Sequence, residues 1–302
     1  MIYNCYIIIS NLKKKGIKRN IIIKLTKAQP KEMTTTHTNI NPEKPTLPKL
    51  NLAPFYCFLV LAHHFNLLNI KNSQIQDLEY VLKHKEFDSD KKVLKQLHKS
   101  PMFVTWEEKN TNNTYELRGC IGTFSKLNIQ EGLKTYSLTA ALQDPRFPPI
   151  IKKEVENLKC KVSILTDFKT IYDKVITDVR MHHINPSKDN NNFWTHIEKN
   201  FHILPDDTDN TNGIEVIFSY FGKQYSATFL PEVMVEHELD IQATFEHLLL
   251  KALSRDHKNS DDLALLKRLI MKDPKKYIDK VIVYKSMKNS MDYEQFVNIL
   301  SH

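Results

Sequence analysis

The residues with the clearest chemical potential in this chain are a cysteine held between two glycines, in Leu117-Arg118-Gly119-Cys120-Ile121-Gly122, with Thr123 and Phe124 following. Glycine is scarce, with six in 302 residues, and it lets backbone turn sharply or approach another group without a Cβ in the way. A cysteine presented on a tight turn resembles a nucleophile elbow, with neighbouring N–H groups free for an anion or oxyanion. Arg118 stabilises a thiolate if its guanidinium comes close, although neighbours within a strand point to opposite faces. Asp144 and Arg146, in Asp144-Pro145-Arg146-Phe147-Pro148-Pro149, supply an acid/base group and an anion clamp if that proline-rich loop folds over the motif. Glu232, after Leu230-Pro231, is a candidate second carboxylate for the same site, or simply an acid at a helix start that suits the local dipole.

Three readings of this constellation remain open at the level of sequence. In the first, Cys120 is buried, Gly119 and Gly122 permit close packing, and Arg118 and Asp144 form a structural ion pair. In the second, the Leu117–Gly122 turn shapes a pocket for a small ligand or a partner protein, which makes the chain a regulatory or binding module. In the third, Cys120 is a covalent nucleophile. No histidine lies near Cys120 in sequence to serve as its base, so the fold would have to bring one in.

Composition narrows the classes further. The 43 basic and 35 acidic residues give a formal charge of +8, but residues 1–31 alone hold eight of the basic residues and no acid. The remainder is formally neutral and lacks the broad positive field that phosphate recognition needs, so nucleic acid is not expected as a partner of the globular part and can be met only by the basic leader. The four cysteines, Cys5, Cys57, Cys120 and Cys160, stand far apart without a CxxC pair, which argues against a disulfide scaffold or structural zinc and for a reducing, intracellular setting, cytoplasmic or nuclear. The 13 histidines are scattered, and none of these patterns calls for a metal or a cofactor. The apolar runs Tyr6–Ile9 and Ile21–Ile23 fall far short of a membrane span. Residues 1–50 read as a basic, polar, disordered leader. Its lack of an arginine and serine bias disfavours a transit peptide, and Met33 is an equally plausible start.

From residue 51 the pattern is that of a folded domain. Pro54 opens a helix with Phe55, Phe58, Leu59, Ala62 and Phe65 toward a core. Residues 69–100 read as a variable helical or loop insertion. Met102–Trp106 and Tyr115–Ile121 are β-rich and joined by a polar turn, which predicts an antiparallel pair with the cysteine motif closing its second strand. Asn128, with Glu131, caps a helix that runs to Leu142. The three prolines after Asp144 enforce a non-helical loop. Leu158, Cys160, Val162 and Ile164 alternate as a half-buried strand, with Cys160 as a small apolar residue. Residues 178–212 read as a surface excursion. Gly213–Phe218 and Gln224–Phe229 form a hairpin turned at Gly222. Asp240 caps a helix, another runs near Leu263–Met271, Val281–Ser286 is the last strand, and a helix starts near Tyr293. This order predicts an α+β domain over residues 51–302, with helices flanking a mainly antiparallel sheet.

Leu117–Phe124 resembles the signature hexapeptide and its sequel in the AMMECR family. Phe103-Val104-Thr105-Trp106, Leu138-Thr139-Ala140-Ala141-Leu142, Asp144-x-Arg146-Phe147-Pro148-Pro149, Val162–Thr166, Ala227–Val233 and Tyr284-Lys285-Ser286 are similar in order and spacing. The resemblance implies an α+β fold of two closely packed subdomains, without a settled biochemical activity. It also implies a pathway link to Memo-type and radical-SAM proteins, which often accompany prokaryotic relatives. The chain departs from the family pattern in one place. Relatives carry a Trp and then a His-Gly before the strand that starts here at Ile214, whereas this chain has Trp194, a long insertion and Asn212-Gly213.

Overall fold

The computed structural model describes residues 6–7, 51–68, 81–82, 87–97, 99–176, 193–204, 207, 211–254, 256–257 and 259–301, and elements are numbered in order among these. Apart from Tyr6–Ile7, the expectations for the leader lie outside the described residues, as do those for much of 69–86 and 177–192. The chain divides into two compact units. One takes the described residues up to Leu165 together with Met287 onward, and the other takes Thr166–Ser286. With helices set around antiparallel strands in each, the fold is α+β.

In the first unit, α1 (Leu52–His64) has no polar stripe, and every residue from Leu52 to Ala62 is buried. A helix that is apolar all round must be enclosed on all sides. The helix α2 (Asp90–Gln96) follows, and the buried Asp90 carboxylate accepts the Leu52 N–H at 2.6 Å, at the start of α1. Strands β1 (Tyr6–Ile7), β3 (Tyr115–Asn128), β2 (Lys99–Lys109) and β4 (Leu158–Asp173) lie side by side in that order. β2 pairs antiparallel with β3 and β4, with Thr105 opposite both Cys120 and Lys161. Its register slips between Ser100 and Met102, at Pro101, which has no N–H for the ladder. α3 (Ile129–Leu142) is capped by the Asn128 side chain, which accepts from the Gln130 and Glu131 amides. The core is anchored by Trp106, whose ring meets Phe58 edge-on at 5.0 Å while its N–H donates to the Ser137 carbonyl at 2.9 Å. Phe58 also stacks on Phe296 of α9 (Tyr293–Leu300) at 5.2 Å. Truncating an aromatic in such a site typically costs about 3–5 kcal/mol.

In the second unit, β7 (Ile278–Asp292), β5 (Gly213–Tyr220) and β6 (Lys223–Phe229) are neighbours in that order. Ile214, Val216 and Phe218 face the core on alternate positions, opposite Val283, Val281 and Ile278, as the period of two requires. Phe245, Leu248 and Leu249 of α6 (Ile241–Leu253) complete that core. The β5–β6 hairpin turns on Phe221 and Gly222, both with positive φ, 46° and 73°, as a two-residue hairpin demands. The stretch expected as a surface excursion contains α4 (Phe193–Asn200), and there Phe193 and Ile197 are buried in the same core as Phe245. α5 (Pro231–Glu236), α7 (Ser260–Lys272) and α8 (Pro274–Tyr277) complete the unit. Among the described residues no helix is long and apolar enough to cross a membrane.

Candidate functional site at the edge of strand β3

The cysteine motif does not close a strand on a tight turn. It lies inside β3, which continues past Ile121 to Asn128, and neither of its glycines has a positive φ. Both glycines serve close approach instead, on opposite faces. A Cβ on Gly119 would sit 2.1 Å from the Ala140 carbonyl oxygen in α3, and one on Gly122 would sit 2.3 Å from the Phe103 ring. Helix and strand therefore pack backbone to backbone at Gly119, while the ring of Phe103, directly across the ladder from Gly122, fills the second gap. Phe103 in turn meets Phe124 edge-on at 5.4 Å.

Pairing of β3 with β2 leaves alternate backbone groups of β3 pointing away from its partner. Those of Cys120 are taken by side chains of the proline-rich loop. The Asp144 Oδ2 accepts the Cys120 N–H at 2.8 Å, and Arg146 NH2 donates to the Cys120 carbonyl at 3.2 Å. The two side chains thus supply an acceptor and a donor where an adjacent strand would place them. The loop is shaped for this. Asp144 Oδ1 accepts the Arg146 N–H at 3.1 Å, closing a local turn around Pro145, and the Asp144 carbonyl accepts the Phe147 N–H at 3.2 Å. Arg146 then forks onto the same carboxylate, with Nε on Oδ1 at 2.9 Å and NH2 on Oδ2 at 2.6 Å. The Asp144 carboxylate is 2% exposed and accepts four N–H groups, which is close to its full capacity.

Arg118 is paired elsewhere than expected. Its Nε and NH2 meet the two oxygens of Glu154 at 3.0 and 3.2 Å, and its NH1 and NH2 donate to the carbonyls of Pro148 and Pro149 at 2.7 and 3.3 Å. One of the three sequence readings paired Arg118 with Asp144, but the fork geometry of arginine selects Glu154, which also accepts the Ile151 N–H at 2.6 Å. Both arginines tie the proline-rich loop down, Arg146 at its start and Arg118 at its end. Nothing at sequence level pointed to Glu154 except the need of a half-buried guanidinium for a carboxylate.

Cys120 is 1% exposed and disulfide-bonded, and the Thr105 hydroxyl donates to its sulfur at 3.0 Å. Cys57 and Cys160 are free and buried. Burial pushes the Cys160 thiol well above its ordinary pKa, and the adjoining Cys57 side chain adds to the effect. Leu117 is half-buried and Ile121 belongs to the core of the first unit. The structure thus brings Cys120, Asp144 and Arg146 together, with Arg118 bound to the same loop.

Glu232 belongs to the second unit, in the first turn of α5 behind Pro231. There a buried polar group centres on Tyr284, whose side-chain role the sequence reading did not anticipate. The Tyr284 hydroxyl lies 2.7 Å from that of Thr228 and donates to the Phe229 carbonyl at 2.9 Å. Its ring occupies the space a Cβ on Gly213 would need, 2.1 Å from that position. Burial pushes the phenol well above its ordinary pKa; the Thr228 hydrogen bond opposes this, and the charges of Glu232 and Glu215 add to it. Burial likewise raises the Glu215 carboxyl. Among the described residues no group of three or more His, Cys, Asp or Glu side chains is placed to hold a metal ion.

A family model described as AMMECR1 matches residues 69–268. An uncharacterised protein of Kluyveromyces lactis is 38% identical over 205 residues, 67% of this chain and 77% of its own. One from Saccharomyces cerevisiae is 32% identical over 252 residues, 80% and 86% of the two chains. Among solved structures, the chain is similar to the crystal structure of an uncharacterised protein from Pyrococcus horikoshii. The identity is 19% and the TM-score 0.47, over 81% of this chain and 92% of that one.

Proposed function

The chain belongs to the AMMECR1 family, and on that footing we propose that it is a regulatory, partner-binding module whose recognition element is the edge of β3 along Leu117–Gly122. The observation that carries this reading is how the outward backbone groups of β3 are used. At Cys120 they are capped by Asp144 and Arg146. Immediately beyond, Tyr6 and Ile7 pair in parallel with Ile121 and Gly122. An edge whose amides and carbonyls accept an added strand is a general means of binding extended peptides, in which main-chain hydrogen bonds give affinity. The clasp at Cys120 limits where such a strand can start, and the Gly119 and Gly122 contacts hold the edge rigid.

The alternative, an enzyme with Cys120 as nucleophile, draws less support. It needs an accessible thiolate and a carboxylate with free capacity, whereas the Cys120 sulfur is buried and bonded and Asp144 is already fully used. The test uses the full chain carrying Tyr6→Pro and Ile7→Pro, which strips β1 of its amide donors. Extended decapeptides are selected against it from a phage library and assayed by amide hydrogen exchange. Binders are expected to protect the Gly122 and Phe124 amides, which share the outward direction of Cys120. Failure to obtain binders, or protection confined to other elements, overturns the proposal.

A further inference from the structure

We infer that the outer face of α7 (Ser260–Lys272) is a docking surface for a second copy of this chain, with the two helices antiparallel across a twofold axis. The inference is independent of the β3 edge. At the helical period, Asp261, Leu265, Arg268, Leu269 and Lys272 fall on one side of α7. Leu266 and Ile270, on the other side, are buried in the core of the second unit. Lys267 marks one flank, where its Nζ meets Glu246 of α6 at 2.6 Å. The outward side is not wholly polar. Leu265 is 67% exposed and Leu269, one turn on, 40%, so the two form an apolar ridge where a surface helix ordinarily carries charge.

The charges around that ridge decide what fits it. Asp261 and Asp262 stand in the first turn, and Arg268 and Lys272 lie toward the C-terminal end. Among the described residues none of the four has an ion-pair partner. They cannot pair along their own helix, because the rise from Asp262 to Lys272 is about 15 Å. A parallel copy would set like charges together. In an antiparallel copy centred between the leucines, Leu265 faces Leu269 of the second copy and Asp262 faces its Lys272. Each contact then occurs twice, as in any isologous interface. A uniformly acidic or basic partner segment would match only one end of the ridge.

The size of the contact sets its strength. α7 has 13 residues, which makes it about 20 Å long and about 10 Å wide. A surface of that size falls well below the roughly 800 Å² per partner of a standard stable interface. The dimer is therefore weak and concentration-dependent, with a dissociation constant on the order of 100 μM.

The full chain is examined by sedimentation equilibrium between about 5 and 500 μM, which brackets that constant. A monomer–dimer equilibrium is expected. Leu265→Gln combined with Leu269→Gln should weaken it at least about tenfold, while the urea midpoint at low concentration stays at the wild-type value because both side chains are exposed. Asp262→Lys, which sets a lysine against Lys272, should weaken association at least about threefold. Adding Lys272→Asp to it should return association to within about twofold of wild type. These charge variants keep the leucines, so they decide the matter if the glutamine chain loses its fold. A monomer at every concentration, or a dimer unaffected by the two glutamines, overturns the docking surface. Equal association of the single and double charge variants overturns the antiparallel register.

Discussion

Replacing Asp144 separates a brace from a catalytic acid. Its carboxylate accepts the Cys120 amide at 2.8 Å and three N–H groups of Arg146 between 2.6 and 3.1 Å. Asp144→Ala leaves the Cys120 N–H without a partner at a position only 1% exposed, which alone costs about 1–3 kcal/mol. Breaking a buried ion pair from one side costs about 3–5 kcal/mol when the remaining charge is trapped. Arg146 keeps 16% side-chain exposure and can turn toward water, so the lower end applies. The expected loss for Asp144→Ala is therefore about 3 kcal/mol, and for Asp144→Asn, which keeps one carbonyl acceptor, about 2 kcal/mol. The assay is urea unfolding in a Trp194→Phe background. Trp106 in the first unit is then the single tryptophan, since the chain has two. Hydrogen exchange at the Cys120 amide is measured alongside and is expected to accelerate in both variants. A loss below about 1 kcal/mol with unchanged Cys120 exchange would refute the brace, because a carboxylate with spare capacity for chemistry contributes little to stability.

Gly119→Ala is expected to destabilise the first unit by about 3 kcal/mol, the upper range of overpacking, because the added Cβ meets backbone rather than a side chain that can rotate; an unchanged urea midpoint contradicts the close-packing role. Burial raises the Asp90 carboxyl above its ordinary value, so the folded state takes up the proton first as pH falls. The stability it contributes is full below the unfolded pKa and is lost as pH rises through the folded one. Asp90→Asn is expected to remove that loss between about pH 4 and neutrality, and an identical wild-type-to-variant difference at both ends of the range counts against it. Phe221, 91% exposed with φ of 46°, holds a left-handed conformation unsuited to its side chain. Phe221→Asn should stabilise the second unit by about 1 kcal/mol, and a destabilisation by thermal unfolding would show that the aromatic tip has a packing role.

Much of the framework was legible because it follows from local periodicity. The helix Ile129–Leu142 and its Asn128 cap, the β2–β3 pair and the hairpin at Gly222 come out as the spacing predicts. So does the family, since its motifs are linear. The insertion was less legible. Phe193 and Ile197 sit in a polar context, and their burial depends on contacts with residues such as Phe245, some fifty positions away. Strand ends were underestimated where polar residues continue a ladder, as β3 does through Ser125 and Lys126 to Asn128.

The sequence by itself determined that Cys120 stands between two glycines and that an Asp-Pro-Arg loop follows at helix length. It also determined an α+β order of elements. It did not determine why the glycines are there. Sequence allows glycine either a positive φ or a close contact, and only the packing of α3 and Phe103 against opposite faces of β3 selects the second. Likewise an arginine and an aspartate can pair with any neighbour of opposite charge. The direction of the β3 amides and the turn at Pro145 decide that Asp144 serves Cys120 and Arg146, and that Arg118 serves Glu154. Hydrogen-bond direction is a property of the assembled sheet, and it converts a motif that looks reactive in one dimension into a braced edge in three.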